Sequence, residues 1–395
     1  MIKFSLRRSG NSTLFSKKKT EWNNFTKKLT LPYVTRGPAI NTFSRFILFI
    51  FAISSIGLSS FTPTAMAMAS DNTEKPKAAD LVTDGQAINL QQEKYTTLFK
   101  ELRERHHFTQ AELDRLFTGI KIDKKVLELM DKQWEAKPYY SYWPLFITPG
   151  VIAKGRQELK ANQQILDRIE KELGVNREIV IAIWGIESRF GEHKGKYGVF
   201  KTLNTLFDAY PRRSAFFRDQ LVDFLLLCRE NKIDTLAVTG SYAGAFGQTQ
   251  FIPSSYREYA VSFDGDEKRD VFTSINDILA SIANYLHRYH WVLDAPLYVE
   301  IGSELKGQEL INASSKGTKG RVDWQLVNKI QGVKLPPPPG NKQLSIVGLE
   351  KDPFTGGGFR YVAAYPNFQA ITAWNNSSRY AMAVCELAEA IKQIP

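Results

Sequence analysis

A mainly α fold, carrying a small insert with some strand, is what this sequence predicts, and three observations predict it. Apolar residues recur at helical spacing along most of the chain from Gln91 to Ile394. One stretch, Val175 to Gly191, is apolar nearly all round, as a helix at the centre of a bundle must be. Between Ala295 and Gly348 the spacing gives way to short apolar runs such as Leu297 to Ile301, broken by Gly, Lys and the prolines Pro336 to Pro339.

Taken in order, residues 1–69 have the three parts of a secretory leader. A basic stretch ends at Arg45, an apolar run extends from Phe46 to Leu58, and Ala67-Met68-Ala69 supplies small residues for cleavage before Ser70. Export to the periplasm is the expectation, with an uncleaved inner-membrane tether extended to Phe61 as the alternative. The leader holds ten Lys or Arg against one acid, Glu21, so the chain's net charge of +11 falls to +2 beyond it. No basic stripe remains to bind nucleic acid.

Helices are expected at Gln91 to Phe108, at Thr109 to Phe117 behind a Thr109/Glu112 capping box, and at Ile152 to Leu173. Further helices are expected at Arg177 to Phe190, Ser214 to Asn231, Ile275 to Tyr289 and Ser377 to Ile394. The proline run reads as an extended spacer. Cys228 and Cys385 both fall in apolar helical patterns and are expected to be buried free thiols, which excludes a cysteine metal site.

Glu187 lies on the apolar helix and is expected to project into or beside the core. Burial disfavours the charged form and raises a carboxyl's pKa, and a neutral carboxyl can protonate a leaving oxygen. The bland alternative is a surface glutamate paired with Lys194 or Lys196. No acid stands three or four residues away, where Ile183, Trp184, Phe190 and Gly191 lie. A second carboxylate folded in from elsewhere, such as Asp208 or Glu258, stays open.

Downstream, YPRRSAFF places Arg212 and Arg213 after Pro211 at a helix entry, where guanidinium groups suit carboxylates. The stretch TGSYAGAFGQTQFIPSSYREYA reads as a sugar-binding loop, with Ser241, Gln248 and Gln250 supplying hydroxyl and amide groups and Phe246 and Phe251 assigned to the core.

Across Gln91 to Ile394 the chain resembles the lytic murein transglycosylase B family. The resemblance rests on AIWGIESRFG, YPRRSAFF, GSYAGAFGQTQFIPSSY, FDGDEKRD followed by SIANYL, and PNFQAITAWNNSSRYAMAV. It implies a lysozyme-like helical core with extra helical segments. Together with the changes of composition and pattern, it divides the chain into a leader (1–69), a flexible linker (70–87), a lysozyme-like catalytic region with a helical N-terminal part (88–294), the insert (295–348) and a C-terminal segment returning to the core (349–395).

The resemblance also implies Glu187 as catalytic acid and then base, opening the bond between N-acetylmuramic acid and N-acetylglucosamine without water to leave 1,6-anhydromuramyl ends. Tyr142, Ser241, Gln250, Trp374, Asn375 and Tyr380 match cleft positions, although Trp374 stands where some relatives have Tyr. Arg212 and Arg213 match arginines implicated in carboxylate binding. The implied partners are peptidoglycan glycan strands and other cell-wall enzymes, with membrane contact only if the leader stays uncleaved.

No cofactor is required by this chemistry. The segment with Asp264, Asp266, Asp270 and Asp277 resembles a structural calcium loop, but Ser262, Lys268 and the lack of Gly after Asp266 favour an acidic solvated loop. Two other functions compete: a hydrolytic muramidase needing a second carboxylate, and a non-catalytic peptidoglycan-binding scaffold.

Overall fold

The computed structural model describes residues 77–132 and 137–393. The leader lies outside the described residues. The described residues begin inside the expected linker: Ala78 and Ala79 are buried, Ala79 N donates to Asp131 Oδ2 (3.2 Å), and Lys124 N donates to Asp84 Oδ1 (3.1 Å). Residues 77–87 are therefore docked, because the two alanines seat on the core and Asp84 receives an otherwise free amide at the start of a helix.

Helix α1 (Glu93–Glu104) buries Tyr95, Leu98 and Leu102 at the expected spacing. Helix α2 (Gln110–Phe117) starts at the capping box: Glu112 N donates to Thr109 Oγ1 and Thr109 N to Glu112 Oε2 (2.7 Å). After α3 (Lys124–Met130), the single helix expected at Ile152 to Leu173 is two, α4 (Pro149–Ala161) and α5 (Gln163–Leu173). The break is at Asn162, whose Nδ2 donates to the Glu158 carbonyl (3.0 Å) and draws the chain out of helical register.

Helix α6 (Arg177–Ser188) is the centre of the molecule. Ile179 to Gly185 are buried without a gap, and the helix packs against α4, α5, α10 (Ile275–Arg288) and the final helix α14 (Ser378–Lys392). Between α6 and α10 lie α7 (Val199–Ala209), α8 (Ser214–Glu230) and α9 (Pro253–Tyr259). The two-residue strands β1 (Tyr197–Gly198) and β2 (Thr239–Gly240) pair antiparallel. Cys228 and Cys385 are both buried and free.

The insert contains more than strand. An antiparallel sheet orders β3 (Tyr298–Gly302), β5 (Phe359–Ala364) and β4 (Ser345–Glu350), with β5 central. Helices α11 (Gln308–Ser315) and α12 (Trp324–Gln331) lie between β3 and β4. The central strand follows the expected insert boundary at 348, so the sheet is completed by the segment expected to belong to the core.

Alternation explains this arrangement. Val347, Leu349, Val362 and Ala364 face the main core, while Ile346 and Ala363 join Leu310, Val327 and Tyr365 in a second, smaller core. The proline run is extended at Pro338 (φ −70°, ψ 149°), but Pro339 opens a short 3-10 turn (Pro339–Asn341) rather than continuing the spacer, and Tyr365 Oη donates to the Pro336 carbonyl (2.7 Å). Helices α13 (Pro366–Trp374) and α14 then carry the chain back to α6.

Close packing around α6 relies on Gly185. A Cβ there would lie 2.7 Å from Phe190 Cζ. Gly185→Ala is expected to cost about 1–3 kcal/mol in urea unfolding by overpacking, and adding Phe190→Leu to it is expected to restore part of the loss.

Candidate active site

The helix carrying Glu187 ends earlier than its apolar pattern. Arg189 (φ 51°), Phe190 (φ 57°) and Gly191 (φ 87°) are successively left-handed, a conformation costing on the order of 1–3 kcal/mol at each non-glycine residue. Ser188 closes this turn, its Oγ accepting from Gly191 N (3.1 Å). The turn folds Phe190 back beneath the helix, edge-on to Trp184 at 5.3 Å, so it does not continue the expected helical stripe. Trp184 Nε1 donates to Gln248 Oε1 (3.0 Å) and Gln248 Nε2 to the Phe272 carbonyl (2.9 Å). Gln248, expected among the sugar-binding amides, has its amide oxygen and one amide hydrogen engaged in tying the glycine-rich loop to the helix.

Glu187 sits deep among protein atoms but keeps part of its surface open. Trp374 Nε1 (2.8 Å) and Tyr380 Oη (2.6 Å) both donate to its Oε1. Trp374 ends α13, boxed by Phe251 at 5.1 Å and Tyr285 at 4.7 Å, and Tyr380 stands in the first turn of α14. Burial pushes the Glu187 carboxyl up to about 7, against the two hydrogen bonds, which favour the carboxylate. No charged group contributes to that shift, and no described ion pair involves Glu187, so the pairing with Lys194 or Lys196 is absent among the described residues.

Two pockets meet at this carboxyl. A small one is lined by Glu187, Gln250, Phe251, Tyr285, Trp374 and Asn375. Asn375 Oδ1 is buried there without a hydrogen-bond partner among the described residues, an acceptor available to a ligand donor. Gln250 Nε2 donates to the Gly247 carbonyl (2.8 Å). The wider pocket is lined by Val151, Lys154, Glu187, Arg189, Glu192 and His193, among others.

The other expected site residues divide. Tyr142 is buried against Phe146 and close enough to Tyr380 to oppose its ionisation. Ser241 lines neither pocket; its Oγ accepts from Ala243 N and Ala245 N (3.1 Å), ordering the loop. Arg212 is exposed and Arg213 lies over Phe216 at 4.1 Å, and neither lines a Glu187 pocket. Asp208 pairs with Lys94 (2.6 Å) and exposed Glu258 lies 3.9 Å from Arg288, so neither serves as a nearby second carboxylate.

Sequence reasoning missed Arg189, Lys154, Glu192 and His193. Arg189 is two residues beyond Glu187, but only the left-handed turn makes it a pocket residue. Phe251 and Tyr285 were also missed as pocket walls; Phe251 is buried as expected and still reaches the pocket.

In the acidic loop, Asp264, Asp266 and Asp277 bring carboxylate oxygens within 4.8 Å of one another. Asp270, expected with them, is outside this group. Its carboxylate accepts from Phe272 N (2.7 Å), Thr273 N and the Thr273 hydroxyl, so its oxygens cap the turn before α10.

Two variants test the hydrogen bonds on Glu187. Removing donors that favour the carboxylate, in Trp374→Phe or Tyr380→Phe, is expected to raise its pKa above about 7, read by carbon-13 NMR of the carboxyl. Linkage gives a second readout. The folded state holds a proton on Glu187 that the unfolded chain releases near 4.5, so this group's contribution to stability falls as pH rises from 4.5 through about 7. Glu187→Gln lacks that dependence and is expected to gain ~3 kcal/mol on the parent across the window in denaturant titrations.

Comparison with known proteins places this geometry in context. Residues 91–389 match the family described as Transglycosylase SLT domain. The chain is 33% identical over 300 residues to membrane-bound lytic murein transglycosylase B of Escherichia coli (strain K12), covering 73% of this chain and 79% of that protein. The structure is similar to that of the Escherichia coli lytic transglycosylase Slt35 in complex with calcium, with TM-score 0.68, 32% identity and coverage of 78% of this chain and 95% of that one. It is also similar to SltB3 from Pseudomonas aeruginosa in complex with NAG-NAM-pentapeptide, with TM-score 0.62, 31% identity and coverage of 76% and 80%.

Proposed function

The chain belongs to the transglycosylase SLT family, the lysozyme-like peptidoglycan lyases, and from that premise we propose that it cleaves glycan strands between N-acetylmuramic acid and N-acetylglucosamine with Glu187 as its only acid and base. The observation that carries this reading is an isolated carboxyl, pushed up to about 7 by burial and open to two pockets, with no charged group acting on it.

Because both donors engage Oε1, the proton resides on Oε2. Oε2 protonates the glycosidic oxygen as its bond to muramyl C1 breaks and the sugar gains oxocarbenium character. The muramyl C6 hydroxyl then attacks C1, and its proton passes to the Glu187 carboxylate. The glycan's atoms are conserved, no water is consumed, and the product is a 1,6-anhydromuramyl end. Trp374 and Tyr380 stabilise the carboxylate while it carries charge, and the open Asn375 Oδ1 suits an acetamido N–H or a sugar hydroxyl.

A hydrolytic route needs a second carboxylate to activate water or form a covalent intermediate. Glu192, exposed in the wide pocket, is the one other acid lining either pocket among the described residues. The test is mass spectrometry of sugars released from purified peptidoglycan. Anhydromuramyl products are expected from the parent and from Glu192→Gln, with the rate reduced about 10²–10⁴-fold in Glu187→Gln. Reducing ends that disappear in Glu192→Gln would make the enzyme a muramidase, and undiminished cleavage by Glu187→Gln would remove Glu187 from the reaction. The parent's kcat/KM is expected to fall as pH rises above about 7, where the acid form is lost.

The chain is read as exported to the periplasm on the strength of residues 1–69; no described helix is long and apolar enough to cross a membrane. The acidic loop is read as a structural calcium site. Hard oxygen donors at Asp264, Asp266 and Asp277 suit this cation, and calcium is present in the Slt35 complex. The ion would neutralise three converging acids, with no part in cleavage. Calcium at about a hundred times its Kd is expected to raise the melting temperature by about 5 °C over a chelator control, and Asp277→Asn is expected to lose that response.

A further inference from the structure

Glu187 stands between two residues that a single side chain, itself outside the Glu187 pockets, holds in place. Trp184, three residues before it, donates from Nε1 to Gln248 Oε1 (3.0 Å). Gly191, four residues after it, lies so close to the same amide that a Cβ there would overlap Gln248 Oε1. Between them run the end of α6 and the left-handed residues Arg189 and Phe190. Gln248 therefore spans the stretch of backbone whose path sets where the Glu187 carboxyl points.

The anchor at the far end of this side chain is firm. Gln248 Nε2 donates to the Phe272 carbonyl (2.9 Å) and Gln248 N to the Val271 carbonyl (2.8 Å). Phe272 N in turn donates to Asp270 Oδ1 (2.7 Å), and its ring stacks on that of buried Phe246 at 5.7 Å. An indole N–H only donates and a carbonyl only accepts, so the amide oxygen must face Trp184 and the amide nitrogen Phe272. No apolar or ionised side chain of this size satisfies both partners.

Resting on the reading that Glu187 is the acid and base of glycan cleavage, we infer that Gln248 is a positioning residue for that reaction, holding the end of α6 against the glycine-rich loop so that Glu187 keeps its two donors and its opening to the pockets. Gln248 lines neither pocket, so it acts through the helix and not on the sugar. The hold is needed because Arg189 and Phe190 carry left-handed strain that a helix continued through Phe190 would release. Such a continuation would take Gly191 away from the amide and shift Trp184, against which Phe190 packs edge-on at 5.3 Å. Trp374 and Tyr380 come from other elements and would not follow, so Glu187 would lose its alignment with them. A displacement on the order of 1 Å at a reacting group costs about a hundredfold in rate.

The experiment measures kcat and KM on purified peptidoglycan for the full chain and for Gln248→Leu and Gln248→Glu, with melting curves to establish folding at each pH. Gln248→Leu, near in size, leaves the Trp184 N–H and the Phe272 carbonyl unpaired; kcat is expected to fall about 10- to 100-fold while KM changes less than about twofold. Gln248→Glu separates positioning from a general loss of stability, and decides the question where Gln248→Leu does not fold. Ionised, its carboxylate accepts from Trp184 but repels the Phe272 carbonyl; protonated, its hydroxyl donates to that carbonyl as the amide does. Its kcat relative to the parent at the same pH is expected to be low near about pH 8 and to recover toward the parent's as pH falls to about 5, whereas that of Gln248→Leu stays low throughout. A folded Gln248→Leu with kcat within about twofold of the parent, a loss confined to KM, or a Gln248→Glu ratio that does not move with pH would overturn the inference. A parent that releases no cleaved sugars would instead overturn the lyase reading on which it rests.

Discussion

A carboxyl group held at the end of a helix with no exposed face is the constraint on which the rest of the structure depends. Seven consecutive residues of α6, Ile179 to Gly185, are buried. Every neighbour of the helix must therefore be apolar or must bring its own hydrogen-bonding solution. Glu187 obtains its two donors from the far end of the sequence: Trp374 and Tyr380 lie 187 and 193 residues downstream. The site closes only when α13 and α14 have returned across the insert. The insert sheet serves this return, since its central strand β5 leads directly into α13 and its inner face completes the main core.

The same dependence explains the clamp around Tyr142. Tyr139 N donates to Glu350 Oε2 (3.0 Å) at the end of β4, Tyr139 Oη donates to Glu386 Oε2 (2.5 Å) on α14, and Arg379 pairs with Glu350. The short helical turn Tyr139–Tyr142 is thus held from both sides by elements arriving more than 200 residues later. Arg379 immediately precedes Tyr380, so the charge pair that fastens the sheet also fixes the helix end donating to Glu187. These hydrogen bonds use charged acceptors in partly buried surroundings, where a lost partner costs more than at a surface.

The sequence conveyed the periodic features well, because period is a local property. The capping box at Thr109, the all-round burial of α6 and the burial of both cysteines follow from residue spacing alone. What it did not convey depends on backbone geometry or distant partners. The break at Asn162 is a side-chain hydrogen bond inside an otherwise continuous pattern. Strand was expected only within 295–348, whereas β5 lies beyond that composition boundary and pairs with strands on either side of two helices. At the site, Gln250 and Asn375 were legible through the family resemblance and do line a Glu187 pocket. Ser241, Arg212 and Arg213 share motifs with site residues, but their side chains are occupied with loop amides, exposed to solvent or laid on phenylalanine rings.

The left-handed turn at Arg189 to Gly191 shows why strain and function coincide here. A helix continuing through Phe190 would carry that ring along the buried stripe and leave Glu187 mid-helix, walled by the next turn. Ending at Ser188 instead opens the carboxyl to two pockets, folds Phe190 into space left by Gly185, and turns Arg189 into the wider pocket. The unfavourable φ values at Arg189 and Phe190 are offset by the packing of the partly buried Phe190 against the core and by the Ser188 and Gln248 hydrogen bonds that fasten the turn and the helix. A carboxyl poised near neutrality then suits the proposed two-step role. At pH 7 the acid and carboxylate forms differ by less than about 1.4 kcal/mol, so neither giving the proton nor taking one back is strongly uphill, and one residue can serve both steps without a partner acid.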